Sequence, residues 1–426
     1  MKRVAVLGLG YVGLPLAVRA VEAGHEVVGV DVDPVKVSAL LAGSTYIEDV
    51  SDARLQDALA TGRFKPSDRL ASSTGFFAYD VGIITVPTPL RSEPGGGRVP
   101  DLSYVQAASR MLGRALRPGA VVVLESTTYP GTTEGLLADV LREESGLVPG
   151  EQFHLGFSPE RIDPGSKTHT LENTPKVVSG TTPAGLAAIQ DFYDTIVEQT
   201  VPVSSPRVAE LTKLFENIQA YVNIALINEV ATLCRDLDID VWEMIDASMT
   251  KGHSVARWKP GPGVGGHCLP IDPMYLAWQA RTKLGRPFRF AELAHAINGD
   301  RPEYVAERVA ETLGSRGIHL SGSKVLLLGV AYKPNVADVR ESPAFPLVQA
   351  LHRRGVHVTV ADPHVTGWLL TQQLPLEDLG GKLETFDLAV VVTAHDGFDY
   401  DKVAREARLV LDCRNAMAPA GNVVAL

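Results

Sequence analysis

The feature that most constrains the fold is a glycine-rich turn between a short apolar stretch and a helical one. Residues 4–7 are apolar and fit a buried parallel strand, while the alanine-rich residues after the turn fit a helix. The turn reads Gly8-Leu9-Gly10-Tyr11-Val12-Gly13, so the pattern GxGxxG lies between strand and helix. Gly8 permits a sharp turn, Gly10 lets a pyrophosphate approach the backbone, and Gly13 lets helix and strand pack closely. The pattern predicts a dinucleotide-binding βαβ unit, with Tyr11 and Val12 beside the phosphates.

A second apolar stretch, residues 27–30, ends at an aspartate, Asp31. An acid at this position accepts hydrogen bonds from both ribose hydroxyls of an adenosine, and it repels a 2′-phosphate. We therefore expect NAD rather than NADP as the cofactor. Lys36, five residues further on, is placed to cover the adenine or the phosphates. The alternative is a βαβ crossover without a ligand, which the register of strand, helix and acid disfavours.

The same order of patterns recurs near the C-terminus. Residues 324–329 repeat the first strand with its glycine, residues 355–363 repeat the second strand with its aspartate, and two stretches within 386–412 repeat later strands. We therefore predict an α/β fold with two Rossmann-like, doubly wound parallel sheets. The second copy lacks GxGxxG and carries Lys333 and Arg340 in its first turn, which suits a second anionic ligand such as a diphosphate. Surface charges on a loop are the alternative.

A long central helix is predicted between the two copies. Ser205 and Pro206 suit a helix N-terminus, and no Gly or Pro interrupts the pattern up to about Asp236. Lys213 and Asn217 are four residues apart, so they share one face of this helix. Scattered polar residues on a solvated face are the alternative. We expect a first sheet domain, a central helical domain and a second sheet domain, over residues 1–200, 201–310 and 311–426.

Residues 261–273 form an unusual local sequence. They contain four glycines and three prolines, which rules out a helix or an ordinary strand and predicts a tight loop. Cys268 lies in this loop, with His267 beside it and Asp272 four residues later. A rigid loop can hold a thiolate against a bound carbon atom, so Cys268 is a candidate nucleophile. An ordinary buried thiol is the alternative.

Polar side chains follow several predicted strands of the first sheet. Thr88 and Thr128 each come shortly after an apolar strand, and Glu160 follows another. Ligands of open α/β sheets lie beyond the carboxyl ends of the strands, so these threonines can reach a nicotinamide or a substrate. They also suit ordinary turns, and Glu160 is either a general base or a helix-start acid. Residues 90–100, which are rich in Gly and Pro, are predicted to form a mobile lid.

Composition and charge exclude several classes of protein. The chain has 426 residues, enough for two or three domains, and its 45% hydrophobic and 21% charged residues are typical of a globular protein. A net charge of −10 argues against nucleic acid as a nonspecific partner. Three cysteines without a CxxC pair argue against a disulfide framework or a metal site. No apolar run approaches the roughly 20 residues of a membrane span, and the N-terminus enters a strand directly, so we expect a cytoplasmic protein without membrane partners.

Taken together, the motifs resemble those of the UDP-glucose/GDP-mannose dehydrogenase family along essentially the whole chain. The resemblance rests on the turn from Gly8 to Gly13, the run Glu-Leu-Thr-Lys-Leu-Phe-Glu-Asn at 210–217, the Gly-Gly-His-Cys loop, and the turn from Lys333 to Ser342. It implies oxidation of the C6 alcohol of a nucleotide-linked hexose to a carboxylate, with two NAD used in succession. It also implies a C-terminal domain that binds a UDP-sugar and a homodimer paired through the central helix.

The resemblance also assigns roles to single residues. It implies that Cys268 attacks the C6 aldehyde, and that the thiohemiacetal becomes a thioester which water hydrolyses. The implied catalytic residues are Cys268, Lys213, Asn217, Asp272, Glu160 and Thr128. With the motif analysis, the expected cofactor contacts are Gly8, Gly10, Tyr11, Val12, Gly13, Asp31, Lys36, Thr88, Thr128 and Arg340. The expected substrate contacts are Glu160, Arg161, Lys213, Asn217, Arg257, Lys259, Gly265 and Lys333.

One departure from the family pattern bears on the sugar. UDP-glucose enzymes commonly carry Pro-Lys-Asp after the cysteine and no histidine before it, whereas here His267 precedes Cys268 and Ile271 precedes Asp272. This resembles the branch that acts on UDP-N-acetylhexosamines, so we expect UDP-N-acetylglucosamine or its mannosamine epimer. UDP-glucose and dTDP-glucose are alternatives. More remote alternatives are a two-electron β-hydroxyacid dehydrogenase, which does not need Cys268, and a non-catalytic NAD sensor.

Overall fold

The computed structural model describes residues 1–47, 49–72, 75–92, 98–161, 168–253, 256–368 and 370–426. Within these residues the chain forms two compact units, Met1–Glu216 and Asn217–Leu426. The boundary between the units falls inside one long helix, and the three domain boundaries drawn from the sequence remain a prediction. No helix of the described residues is long and apolar enough to cross a membrane.

The first unit alternates strands and helices. Its strands are β1 (Arg3–Leu7), β2 (Glu26–Val30), β3 (Phe64–Ser67), β4 (Ala71–Ser72), β5 (Gly75–Phe76), β6 (Val81–Ile84), β7 (Leu90–Ser92), β8 (Arg98–Pro100), β9 (Val121–Leu124), β10 (His154–Phe157), β11 (Lys176–Gly180) and β12 (Thr200–Pro202). Its helices are α1 (Gly13–Glu22), α2 (Pro34–Leu41), α3 (Asp52–Ala60), α4 (Ser103–Ala115), α5 (Ala138–Ser145) and α6 (Pro183–Tyr193), with a π-helical turn at Thr133–Leu137.

One sheet of the first unit joins strands in the order β12-β11-β10-β9-β6-β1-β2-β3. Neighbouring strands run parallel, except that β10 and β11 are antiparallel. The central strands β6 and β9 are apolar and buried along their whole length, as expected for strands covered on both faces. The carboxyl ends of parallel strands lie at one edge of a sheet. The segments that carry Gly8, Thr88, Thr128 and Glu160 therefore leave the sheet at the same edge.

A long helix, α7 (Pro206–Asp236), follows the first sheet and confirms the helix predicted for this stretch. Its start follows from the sequence, because Pro206 occupies the first turn and Oγ of Ser205 accepts a hydrogen bond from the N–H of Val208 at 3.4 Å. Other helices begin at similar signals. Asp33 caps α2, and Thr182 caps α6, each ahead of a proline at the first helical position.

The second unit repeats the architecture of the first sheet. Its strands are β13 (Lys324–Leu328), β14 (His357–Ala361), β15 (Gln372–Gln373), β16 (Leu388–Val391), β17 (Val410–Asp412) and β18 (Val423–Ala425). Its helices are α8 (Val241–Met249), α9 (Asp272–Leu284), α10 (Arg289–Gly314), α11 (Ala344–Arg353), α12 (Leu376–Leu379) and α13 (Tyr400–Glu406), with a 3₁₀ turn at Leu383–Thr385.

The strands of the second unit form a parallel sheet in the order β15-β14-β13-β16-β17-β18. The first sheet contains the matching order β3-β2-β1-β6-β9-β10. The predicted α/β fold with two Rossmann-like sheets is thereby confirmed. The predicted lid, residues 90–100, is described only at its two ends, where β7 and β8 pair antiparallel. Residues 93–97 lie outside the described residues, so the lid stays a prediction.

Candidate active site

The turn after β1 has the geometry that the glycine pattern predicts. Gly8 has a φ of +97°, and a Cβ there would lie 2.7 Å from the carbonyl oxygen of Thr85. A Cβ on Gly13 would lie 1.8 Å from the carbonyl oxygen of Gly8, so α1 packs directly against the turn. A Cβ on Gly10 would meet no protein atom within 4 Å, so this part of the turn opens outward. Because no side chain caps α1 and its first turn holds no acidic residue, its N–H groups suit a phosphate.

Asp31 has a structural role that the sequence did not indicate. Its Oδ2 accepts a hydrogen bond from the N–H of Leu9 at 2.9 Å, and its Oδ1 accepts one from the N–H of Asp33 at 3.0 Å. Nζ of Lys36 lies 3.7 Å from Oδ2 of Asp31. The carboxylate therefore fastens the glycine-rich turn to the end of β2, while its remaining lone pairs can accept from ribose hydroxyls. The turn, the uncapped helix and this acid fit NAD, which carries no 2′-phosphate.

The first turn of the second unit is built in the same way around Asp362. Gly329 has a φ of +81°, and a Cβ there would lie 2.2 Å from the carbonyl oxygen of Thr393. Oδ2 of Asp362 accepts hydrogen bonds from the N–H groups of Val330 at 2.7 Å and Ala331 at 3.2 Å. The repeated use of a glycine and an aspartate at matching strand ends shows that the internal repeat extends to individual hydrogen bonds.

A buried histidine, His395, supports this second turn. Its Nδ1 accepts a hydrogen bond from the N–H of Asn335 at 2.9 Å, so its Nε2 carries a proton and donates to Oδ2 of Asp362 at 3.1 Å. Burial acts to raise the pKa of Asp362, but the hydrogen bonds from His395 and from backbone N–H groups lower it to about 2. The carboxylate of Asp362 stays ionised. It binds the N–H groups of Val330 and Ala331, and His395 binds the N–H of Asn335, so the turn is fixed on both sides of Lys333.

The cysteine loop of the second unit is pressed onto this turn. A Cβ on Gly265 would lie 2.7 Å from Cβ of Tyr332 and 2.8 Å from the carbonyl oxygen of Glu341. Gly266 has a φ of +87°, and its N–H donates to the carbonyl oxygen of Arg340 at 2.9 Å. At the start of the loop, the N–H of Gly261 donates to a buried amide, and a buried guanidinium donates to its carbonyl oxygen. The predicted tight loop is confirmed for residues 261–271, and it leaves no room for larger residues at these glycines. For Asp272 and Pro273 the prediction was wrong, because they form the first turn of α9, where a proline is tolerated.

Cys268 is the exposed cysteine of the chain, whereas Cys234 and Cys413 are buried. Burial raises the pKa of Cys413 to about 12, as expected for a structural thiol. The carbonyl oxygen of Cys268 accepts a hydrogen bond from the N–H of Asp272 at 2.9 Å, one turn ahead of α9. The alternative of a buried thiol is therefore wrong for Cys268, and its role as the nucleophile stays a prediction.

Two predicted catalytic residues, Asn217 and Asp272, meet in the second unit. Nδ2 of Asn217 donates to Oδ2 of Asp272 at 2.5 Å, and Asp272 is only 3% exposed. Because a buried carboxylate needs partners, this amide fixes its orientation. The contact joins α7 to the first turn of α9, directly after the cysteine loop.

Glu210, the first residue of the 210–217 motif, anchors the segment after β9 to α7. Its Oε2 accepts a hydrogen bond from the N–H of Gly131 at 2.6 Å, and its Oε1 accepts from the N–H and the hydroxyl of Thr133 at 2.9 and 2.7 Å. Thr133 begins the π-helical turn, a distortion often found near functional sites. The segment that carries Thr128 is thereby fixed to the helix that carries Lys213.

Glu216 makes a second link between α7 and the same edge of the sheet. Its Oε1 lies 2.8 Å from Nη2 of Arg161, in the segment after β10. Successive residues of a helix are about 100° apart, so Lys213 lies about 60° from both Glu210 and Glu216 around α7. Lys213 is therefore on the helix face that meets the segments after β9 and β10.

Replacing Glu210 with glutamine should change how stability depends on pH. Burial raises the pKa of Glu210 from 4.5 to about 7, against the hydrogen bonds from Gly131 and Thr133. A carboxyl whose pKa is raised on folding stabilises the fold while protonated, and this contribution is lost as the pH rises from about 4.5 through about 7. In urea denaturation at pH 5, Glu210→Gln should be less stable than wild type, because its NH2 group cannot accept the N–H that one carboxyl oxygen accepts. At pH 8 this difference should have changed in favour of the variant by up to about 3 kcal/mol.

Glu143→Gln, at an exposed position of α5, is the control and should shift stability equally at both pH values. The prediction is contradicted if Glu210→Gln loses the same stability at pH 5 and pH 8.

Thr88, Thr128 and Glu160 are all buried at the carboxyl edge of the first sheet. Oγ1 of Thr128 has no hydrogen-bond partner among the described residues, which is expected where a hydroxyl meets a ligand or a water molecule. Oε2 of Glu160 lies 3.6 Å from Nζ of Lys176, which also contacts Glu125. Sequence reasoning missed Lys176 and Glu125. The available signal was that each is a charged residue adjoining an apolar strand.

The basic residues predicted for substrate or cofactor have varied surroundings. Arg340 is exposed and pairs with Asp338 of its own turn at 2.6 Å. Arg257 pairs with an exposed aspartate of α8 at 2.5 Å. Lys259 is exposed and Lys333 is half-buried. The structure thus groups Lys213 with the Thr128 and Glu160 segments in the first unit. In the second unit it groups Asn217, Asp272 and the cysteine loop with the Lys333 turn.

Models of the UDP-glucose/GDP-mannose dehydrogenase family match most of the chain. The NAD binding domain matches residues 2–197, the central domain matches residues 207–300, and the UDP binding domain matches residues 326–419. These matches confirm the resemblance stated from the motifs and confirm NAD as the cofactor.

Curated relatives and solved structures agree. The chain is 34% identical to a UDP-N-acetyl-D-mannosamine dehydrogenase of Pyrococcus horikoshii, over 97% of this chain and 95% of the relative. It is 35% identical to a UDP-N-acetyl-D-glucosamine 6-dehydrogenase of Pseudomonas aeruginosa, over 93% and 91%. A solved UDP-glucose dehydrogenase from Pyrobaculum islandicum has a TM-score of 0.85 at 31% identity, covering 98% of this chain and 95% of that one. The chain belongs to the UDP-glucose/GDP-mannose dehydrogenase family and is an NAD-dependent nucleotide-sugar dehydrogenase.

Proposed function

We propose that the chain oxidises the C6 alcohol of a UDP-N-acetylhexosamine to the carboxylate, by two successive two-electron steps and through a covalent bond to Cys268. The observation that carries the proposal is the exposed thiol on a loop pressed against the turn after β13. The sugar class is supported by the names of the Pyrococcus and Pseudomonas relatives and by His267 and Ile271 around the cysteine. UDP-N-acetylglucosamine and UDP-N-acetylmannosamine are the first candidates.

The proposed chemistry assigns each step to a side chain. NAD, when bound, accepts the hydride that leaves C6 in each oxidation. Sγ of Cys268 attacks the C6 aldehyde and forms a C–S bond, and oxidation of this thiohemiacetal gives a thioester. Lys213 stabilises the negative charge on the C6 oxygen. The Asn217–Asp272 pair holds the start of α9 and thereby the position of the thiol.

Hydrolysis of the thioester is assigned to Thr128 and Glu160. Oγ1 of Thr128 is buried and has no partner within the described chain, so it is available to hold the attacking water. Glu160 accepts the water proton. The support for this pair is that both residues lie at the carboxyl edge of the first sheet, where α/β enzymes bind their ligands.

Basic side chains and backbone groups are assigned to the two diphosphates. The glycine-rich turn, Tyr11, Val12, Asp31 and Lys36 hold the dinucleotide, as their geometry at the end of β1 and β2 supports. Guanidinium and ammonium groups suit the diphosphate of the sugar nucleotide. We assign this contact to Arg161, Arg257, Lys259 and Lys333, with the backbone of Gly265 beside the sugar. Arg340 and Thr88 are assigned to the cofactor.

A substrate panel tests the proposed function. The probes are UDP-N-acetylglucosamine, UDP-N-acetylmannosamine, UDP-glucose and dTDP-glucose, each followed by NADH absorbance and by mass spectrometry of the sugar product. We expect the highest kcat/KM with an N-acetylhexosamine and two NADH per sugar. Preference for UDP-glucose or dTDP-glucose would replace the proposed sugar. One NADH per sugar would indicate a two-electron dehydrogenase, and NAD binding without any turnover would indicate a sensor.

We also propose that the chain pairs with a second copy through α7. One face of this helix carries large exposed apolar side chains, which in a monomer would face water. At about 100° per residue they fall within a sector of about 60°, roughly opposite the sector that holds Glu210, Lys213 and Asn217. The stripe consists of Val208, Leu211, Phe215, Leu226 and Leu233, which are 42% to 61% exposed.

Breaking this apolar stripe should abolish pairing. Leu226→Asp combined with Leu233→Asp places two charges on it, and burying them at an interface costs several kcal/mol. Sedimentation should then give a monomer where wild type gives a dimer. Val148→Asp, at an exposed apolar position in the first unit, should leave the mass unchanged. A dimer that survives the double substitution would show that another surface forms the interface.

A further inference from the structure

A buried charged cluster lies next to Glu160. Lys176 begins β11, Glu125 follows β9 and Tyr193 ends α6, and their exposures are 4%, 1% and 0%. Because β11 is antiparallel to β10, its first residue lies at the carboxyl edge of the sheet, where the other strands end. Continuing the observed register beyond its last pair places residue 160 opposite residue 176. The reversed strand thus delivers a lysine to the edge where ligands bind.

Nζ of Lys176 is shared by three acceptors. It lies 3.0 Å from Oε2 of Glu125, 3.3 Å from the carbonyl oxygen of Pro159 and 3.6 Å from Oε2 of Glu160. The other oxygen of Glu125 accepts a hydrogen bond from the hydroxyl of Tyr193. The ring of Tyr193 lies below the ammonium group, 5.2 Å from Nζ to the ring centroid. Glu125 therefore holds Lys176 by the shorter contact, and Glu160 shares the same cation at longer range.

Among the described residues, the cluster joins one cation to two buried carboxylates. Burial raises the pKa of Glu125, against the opposing charge of Lys176. Burial acts to lower the pKa of Lys176, but the two carboxylates raise it, so the ammonium stays charged. Arg161, the next residue along the chain, pairs with Glu216 of α7. Glu125 and Glu160 therefore share one ammonium group, with Glu125 at the shorter distance.

We propose that Lys176 is a positioning residue that places a positive charge beside Glu160, the base for thioester hydrolysis, and holds its carboxyl group in position, and that Glu125 limits this effect by competing for the ammonium. The inference rests on the proposed function, since hydrolysis of a thioester is the step in which Glu160 accepts a proton. In that step the water oxygen bonds to the carbonyl carbon, one water proton passes to Glu160, and the C–S bond to Cys268 breaks. No oxidation or reduction is involved, and the thiolate leaves with the electron pair of the C–S bond.

Two substitutions with opposite effects on this charge test the proposal. Lys176→Met removes the cation that favours negative charge on its neighbours, so the acid limb of the hydrolysis rate should move up by about one pH unit or more. Glu125→Gln removes the competing anion, so the acid limb should move down. The measurement is the decay of the acyl-enzyme on the Cys268 peptide, quenched at successive times between pH 5.5 and 9 and followed by mass spectrometry. A residue with only a structural role would slow the decay in both variants without opposite shifts.

The controls separate charge from folding. Lys65→Met removes an exposed lysine that pairs with Glu26 at 3.0 Å, and it should leave the profile unchanged. The double variant Lys176→Met/Glu125→Gln should recover part of the hydrolysis lost in Lys176→Met, because no competing carboxylate remains beside Glu160. Thermal unfolding and NAD binding show whether each variant folds. If Lys176→Met does not fold, the Glu125→Gln variant tests the proposal by itself: a downward move of its acid limb supports the proposal, and no move or an upward move contradicts it.

The outcomes also distinguish the inference from the function on which it rests. The first case is that wild type forms an acyl-enzyme, but the acid limb of hydrolysis does not move in the variants or moves in the same direction in both. This result would overturn the role of Lys176 alone. Absence of any acyl group on Cys268 in wild type, with a turning-over substrate, would overturn the proposed thioester and this inference together.

Discussion

A Cys268→Ser variant should form almost no uronic acid and release at most about one NADH per sugar consumed. A serine hydroxyl is not ionised near neutral pH, so it cannot replace the thiolate as the nucleophile toward the C6 aldehyde. We expect carboxylate formation to fall on the order of 10³-fold or more, the scale seen when a covalent nucleophile is removed. NAD binding should be close to that of wild type, because the glycine-rich turn belongs to the first unit. NADH absorbance and mass spectrometry of the sugar measure both yields.

Cys234→Ser is the matched control for this substitution. It exchanges the same atoms at a buried position of α7, so it should lower stability modestly while leaving the two-NADH yield intact. The thioester step would be refuted by a Cys268→Ser variant that still gives two NADH and the carboxylate.

Gly265→Ala should lower kcat about 10²-fold and destabilise the second unit. The added Cβ would lie 2.7 Å from Cβ of Tyr332 and 2.8 Å from the carbonyl oxygen of Glu341, and the second of these is backbone that cannot rotate away. The cysteine loop must therefore shift, and a misplacement of about 1 Å at a reacting group costs a factor of about 10². We expect a loss of about 1–3 kcal/mol in the free energy of unfolding from the overpacking. Steady-state kinetics and urea denaturation measure the two effects.

Gly299→Ala provides the comparison, because a Cβ at this position of α10 would meet no atom within 4 Å. Alanine is favoured over glycine in a helix by about 1 kcal/mol, so this variant should gain stability and keep its kcat. Equal kcat values for the two alanine variants would show that catalysis does not depend on the position of the cysteine loop.

The fold followed from the sequence wherever a signal was local. The apolar stretch before Gly8, the aspartate at 31 and their repeats near the C-terminus predict strands, turns and two Rossmann-like sheets. The uninterrupted pattern from Pro206 predicts a helix to about Asp236, where α7 ends. These features depend on the spacing of apolar residues, glycines and prolines, which a single sequence displays directly.

The parts of the site that escaped prediction depend on contacts between distant residues. Lys176 is 51 residues from Glu125 in sequence, and they meet because β11 is antiparallel to β10, which no local pattern indicates. Glu210 contacts Thr133 across 77 residues. By contrast, Cys268 was found because glycine and proline density marks its loop without reference to the fold. The role of a side chain that acts through a distant neighbour therefore becomes visible only in the structure. A side chain on a glycine-rich loop can be identified from the sequence.

Asp31 both fixes the glycine-rich turn and is assigned to the ribose of the cofactor, and this limits how coenzyme preference can be engineered in this enzyme. Removing the carboxylate to admit a 2′-phosphorylated coenzyme also removes the acceptor of the Leu9 N–H. Alanine at this position would leave that amide unsatisfied at a cost of about 1–3 kcal/mol. Asparagine removes the charge and keeps one oxygen for the Leu9 amide, at the expense of the hydrogen bond from the Asp33 amide. A redesign toward NADP must therefore begin from asparagine at position 31 and add a cation nearby.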